Sequence, residues 1–266
     1  MHPAERLLMD LGITDPRDIH LEAIALTQGV QVRYRRLDGC EAQILGHGDR
    51  AIIVIDDTRT HPRRQRFSLA HELGHWRHHR GRILVCRSDD IGPDSATRPP
   101  AERTADDYAA HLLIPGYLLR PLVKSHPKLT FQVVQAVCDA FDTSVPASAI
   151  RLIESRLFSA MVVCHGPGGR KWFARSPDVP DRWFPRDDLD PDSFAFDVLF
   201  GQAQDDCIPR KIGVDAWFER WEAERYEMLE QTRRTAPDEI LTILSITEEK
   251  MREDYASGDR NSQWRR

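Results

Sequence analysis

Residues 63–80 read RRQRFSLAHELGHWRHHR, and within them His71, Glu72 and His75 spell H-E-x-x-H. On an α-helix, positions i and i+4 lie one above the other, so the two imidazoles face the same space about a turn apart. Zn²⁺ takes nitrogen ligands at about 2.0–2.1 Å in a tetrahedral shell, and such a pair supplies two of its corners. Glu72 is rotated from His71 by about 100° around the helix, so it reaches a water on the ion rather than the ion itself. It is the candidate catalytic general base, acting on a water whose pKa the metal lowers toward about 7. Phe67, Leu69, Ala70, Leu73 and Trp76 recur at helical spacing through the stretch, which is the context the motif requires. Gly74 costs about 1 kcal/mol against Ala inside a helix, and room for metal and substrate is one reason to place it there.

A third ligand has to come from elsewhere. Residues 99–115, PPAERTADDYAAHLLIP, read as a helix opened by proline and stopped by Pro115. Glu102, Asp106, Ala109 and Leu113 share one of its faces, whereas His111 lies about half a turn away. Glu102 is the candidate third metal ligand. Asp106, one turn on, is the candidate acceptor for the outer N–H of a ligand imidazole, an interaction that fixes its tautomer. His78 falls on the His71 face but about 10 Å along the axis, too far to share one ion, and His79 and His111 are not counted as ligands. Arg63, Arg64, Arg66, Arg77, Arg80 and Arg82 bracket the H-E-x-x-H helix. They read as a solvated face or as an attraction for an acidic partner.

The 266 residues carry 41% hydrophobic and 30% charged side chains, the balance of a soluble globular protein. A net charge of −5 does not announce a nucleic-acid surface. The start, MHPAERLLMDLGI, lacks an export signal, and the longest apolar runs fall far below the about 18 residues a membrane span needs. Cys40, Cys86, Cys138, Cys164 and Cys207 are scattered and odd in number. They read as reduced thiols of a cytoplasmic protein.

In chain order, helices over 3–11 and 20–27 precede strands over 30–37, 42–45 and 51–56, read as a small antiparallel sheet. Gly81 marks the end of the H-E-x-x-H helix, and 88–100 is a turn-rich loop that returns the chain to the metal. Helices continue over 116–124 and 130–157, the latter superficially a helix-turn-helix. With only Arg151 and Arg156 as basic groups in its second helix, it reads as a packing element. After Arg156 the pattern changes to a hairpin over 160–175 around GPGG, a short helix over 194–200, and strands over 214–218, 225–235 and 240–246. The expected fold class is α+β, with a domain built around the H-E-x-x-H helix over 1–157, a smaller α+β domain over 158–248 and a frayed tail over 249–266.

The segments RRQRFSLAHELGHWRHH at 63–79 and AERTADDYAAHLLIP at 101–115 resemble the paired motifs of the ImmA/IrrE family of metallopeptidases, and the likeness extends over roughly 5–157. Asp106 stands where that family commonly has asparagine, Tyr108 where it has phenylalanine, and Thr104 where a second acid is frequent. The resemblance implies a zincin-like, gluzincin-type endopeptidase in which His71, His75 and Glu102 hold one zinc ion per chain, with manganese as the alternative, and Glu72 is the base. It further implies a limited cut in a helix-turn-helix repressor, relieving transcriptional repression, and a C-terminal domain like the sensor domain of some members. The alternative expectation is a zinc-stabilised regulatory protein that binds a transcription factor without cleaving it. Direct nucleic-acid binding and membrane association are not expected.

Overall fold

The computed structural model describes residues 1–58, 61–79, 84–86, 99–206 and 208–253, the backbone alone for 84–86. Gly81, the turn-rich stretch over 88–98 and the tail beyond 253 lie outside them. The chain divides into two compact units, one of residues 1–126 and 132–151, the other of 127–131 and 152 onward. Both mix helices and strands, so the fold is α+β.

In the first unit, α1 (Pro3–Asp10) and α2 (Leu21–Thr27) lead into β1 (Val30–Tyr34), β2 (Ala42–His47) and β3 (Arg50–Ile55). The helix α3 (Pro62–His78) and a short β4 (Leu84–Cys86) follow. The strand order is β1-β3-β2-β4, with β2 antiparallel to both β3 and β4. The expectation of an all-antiparallel sheet is corrected at β1, which runs parallel to β3. Alternation reports which face a residue takes and is silent on strand direction. Direction is set by tertiary contacts at both ends of β1. Gly29, at φ +76°, lies where an added Cβ would meet the Asp49 carbonyl oxygen at 2.5 Å, so only glycine lets β1 start beside β3. The chain then crosses the far end of β3, where the Asp56 carboxylate accepts from Leu37 N–H at 3.1 Å.

α3 opens with Pro62 at its first position and His61 as N-cap, whose Nδ1 accepts from Arg63 N–H. Its sequence suggests one apolar face, yet every residue from Ser68 to Trp76 is buried. Trp76 is pinned by its indole N–H to the Gln28 carbonyl at 3.0 Å. The other side of α3 is covered by α4 (Pro100–Leu113). The arginines at the start of α3 are paired: Arg64 with Glu41 at 2.8 Å and Arg63 with Asp142 at 3.1 Å.

Helices α5 (Gly116–Val123), α6 (Phe131–Phe141) and α7 (Val145–Glu154) follow. Arg151 of α7 is 5% exposed and donates through Nε to the Ile114 carbonyl at 3.0 Å, so it is spent on packing. No helix among the described residues is long and apolar enough to cross a membrane.

The second unit is built on an antiparallel sheet ordered β6-β5-β9-β8-β7. Its strands are β5 (Ala160–Gly166), β6 (Gly169–Arg175), β7 (Arg210–Gly213), β8 (Glu227–Ala236) and β9 (Glu239–Ser245), with α8 (Phe194–Leu199) packed against it. Trp183, Trp217, Phe218 and Met228 fill its core. Residues 214–218, expected as a strand, instead open with a 3₁₀ turn at Val214–Ala216. Val214, Trp217 and Phe218 are buried together, a spacing of three and four that a turn of helix satisfies and an alternating strand does not. The expectation of a frayed tail from 249 is corrected for its first residues. They form α9 (Glu249–Arg252), Met251 is fully buried, and its carbonyl accepts from the Trp183 indole at 2.8 Å.

Candidate metal centre

α3 and α4 approach each other closely at Gly74. A Cβ there would lie 2.9 Å from both the Cα and the carbonyl oxygen of Ala105, and 3.1 Å from the Cβ of Tyr108. The missing side chain therefore makes room for the backbone of α4 rather than for metal and substrate. That approach carries the first turn of α4 over the motif face of α3.

Three ligand atoms converge as a result. His71 Nε2 lies 3.0 Å from His75 Nε2, Glu102 Oε2 lies 3.1 Å from the first and 3.2 Å from the second. His71 and His75 are 0% and 1% exposed. In a tetrahedral zinc shell with bonds of about 2.0–2.1 Å, the ligand atoms are about 3.3 Å apart. The observed triangle is close to one face of that tetrahedron, so His71, His75 and Glu102 are a group that could hold one metal ion. Glu102 sits in the first turn of α4, where the helix dipole favours an anionic carboxylate.

The outer nitrogens of the two imidazoles are also engaged. His71 Nδ1 lies 2.8 Å from Asp106 Oδ1, the arrangement in which a carboxylate fixes the tautomer that leaves Nε2 for a metal. His75 Nδ1 lies 3.3 Å from His79 Nδ1. His79 is not a ligand candidate by sequence, yet its spacing of four from His75 puts the two on one face of α3.

Without metal His71 holds a proton. Burial pushes the His71 pKa down, but hydrogen bonds with Asp106 and Glu102 outweigh it and push the value up to about 9. Burial raises the Glu102 carboxyl, and hydrogen bonds from His71 and His75 outweigh that, holding it well below the usual carboxylate range. Glu72, the residue after His71, is 0% exposed on the same buried helix.

A second histidine and carboxylate cluster, His2, Asp107 and His111, lies elsewhere in the unit. Its imidazoles are stacked at 3.9 Å and 16°, so their in-plane lone pairs run side by side and do not converge on one ion. His2 Nδ1 caps α1 by accepting from Ala4 N–H, and His111 Nδ1 meets Glu5 at 2.8 Å. His78 faces the Tyr108 ring edge-on at 5.7 Å.

Comparison with known proteins agrees with the motifs. Residues 25–136 match a peptidase family described as the IrrE N-terminal-like domain. No curated protein matches the sequence. Among solved structures, a Mycobacterium tuberculosis transcriptional regulator is similar with a TM-score of 0.59 and 14% identity, over 96% of this chain and 79% of that one. At that identity the likeness is one of fold. The matched span begins in α2 and holds β1 to β3, the H-E-x-x-H helix and the Glu102 helix, so over residues 25–136 the chain is similar to the IrrE N-terminal-like domain.

Proposed function

We propose that the chain is a zinc-dependent endopeptidase that makes a limited cut in a DNA-binding repressor. The observation that carries this reading is the triangle of His71 Nε2 and His75 Nε2 of α3 with Glu102 Oε2 of α4, with edges of 3.0–3.2 Å, beside the buried Glu72 of α3. A bound zinc ion would supply Lewis acidity, polarising a peptide carbonyl and lowering the pKa of water. His71, His75 and Glu102 would hold it, and Asp106 keeps the His71 proton on Nδ1. Glu72 takes a proton from the attacking water and passes it to the leaving amine. The peptidase family match and the fold shared with a solved transcriptional regulator support an activity directed at gene regulation.

A second reading is favoured by the burial of the motif: Glu72 and His71 at 0% exposure suit a zinc-stabilised regulator that grips a transcription factor without cleaving it. Glu72→Gln separates the two. Incubated with zinc and a repressor encoded beside this gene, the wild type is expected to yield two discrete fragments. The variant is expected to yield none while binding metal and partner as before. An intact repressor with both proteins, together with stable complex formation, would establish the second reading.

A further inference from the structure

The two candidate ligand histidines are braced differently: His71 by a carboxylate, His75 by a third imidazole. We infer that His79 is a positioning residue of the metal centre, accepting the outer N–H of His75 and holding His75 Nε2 on the ion. The inference rests on the metal reading above and adds to it a residue outside the ligand set.

The geometry allows one arrangement of protons. A neutral imidazole that gives its Nε2 lone pair to a metal carries its hydrogen on Nδ1. His75 Nδ1 is then a donor, and the atom 3.3 Å away, His79 Nδ1, has to present a lone pair. His79 is thereby fixed as the tautomer protonated on Nε2. The backbone supplies the placement. His79 is the C-cap of α3, its N–H donates to the His75 carbonyl at 2.7 Å, and the spacing of four sets its ring 5.4 Å from that of His75. Partners of this kind orient ligand histidines, and losing one costs about 10–100-fold in metal affinity.

The test measures zinc affinity by chelator competition on the full chain, for the wild type, His79→Gln and His79→Leu. Glutamine keeps an acceptor oxygen and leucine keeps bulk alone. The expected result is affinity within about threefold of wild type for His79→Gln and about 10–100-fold weaker for His79→Leu, with thermal melting of the metal-free proteins alike. A His79→Leu protein that binds zinc like the wild type overturns the inference and leaves the metal site standing, as does a His79→Gln protein as weak as His79→Leu. A wild type that binds no zinc overturns the metal reading and this inference together. Independently of either variant folding, the ¹⁵N-histidine spectrum of the zinc-loaded wild type should show His79 protonated on Nε2 and His75 on Nδ1. His79 protonated on Nδ1 overturns the inference.

Discussion

Gly74 of α3 faces the backbone of Ala105 of α4 so closely that a Cβ would lie 2.9 Å from its Cα. This contact sets the distance from which Glu102, three residues before Ala105, reaches the two histidines. Gly74→Ala gains helix propensity of at most about 1 kcal/mol and incurs an overpacking cost of about 1–3 kcal/mol, because backbone rather than a flexible side chain has to move. A net loss of thermal stability is expected, together with weaker zinc binding as Glu102 is pushed off the triangle. Melting and chelator competition measure the two. An alanine variant with wild-type zinc affinity would show that the approach at Gly74 does not set the site.

Zinc uptake is expected to release about one proton per chain at neutral pH. His71 in the metal-free fold keeps its proton up to a pKa of about 9, and a metal needs that lone pair. Apparent affinity therefore rises with pH, by about tenfold per unit up to about 9. The metal-free fold behaves in the opposite sense. A raised pKa adds stability that is fully present below the ordinary value of 6.5 and is lost as pH rises through about 9. Calorimetry in buffers of different ionisation enthalpy counts the proton directly, and an enthalpy that does not vary with buffer would contradict the assignment.

Asp106 touches His71 at 2.8 Å. Asp106→Ala should lower zinc affinity about 10–100-fold without removing a ligand, leaving one ion bound per chain at saturation. Glu102→Ala should cost more than that, because it opens a corner of the triangle. Equal losses in the two variants would argue that Glu102 is not a ligand.

In the second unit, Glu230 is fully buried on β8 and its carboxylate accepts from the Trp217 indole at 2.8 Å and from Ala195 N–H at 2.6 Å. Burial pushes its pKa up. Glu230→Ala leaves two buried donors without an acceptor, at about 1–3 kcal/mol, and opens a cavity beside Trp217. Glu230→Gln keeps an oxygen for one of them and should melt closer to the wild type. Trp217 fluorescence and thermal melting report both. A Glu230→Ala protein as stable as the wild type would show that the carboxylate contributes nothing to this core.

Local pattern was enough to place His71, Glu72 and His75 on one helix, to put Glu102 and Asp106 on one face of another, and to locate most strands by their alternation. These features follow from the 3.6-residue and two-residue periods of the backbone, which any window of sequence displays. What spans the chain was decided by packing. The parallel course of β1 depends on Gly29 meeting Asp49, the helical turn at 214–216 on three side chains sharing one core, and the reach of Glu102 on the bare surface of Gly74. His79 belongs to both levels. Its spacing of four from His75 is written in the sequence, and only the folded α3, buried on all sides from Ser68 to Trp76, turns that spacing into a contact between two nitrogens.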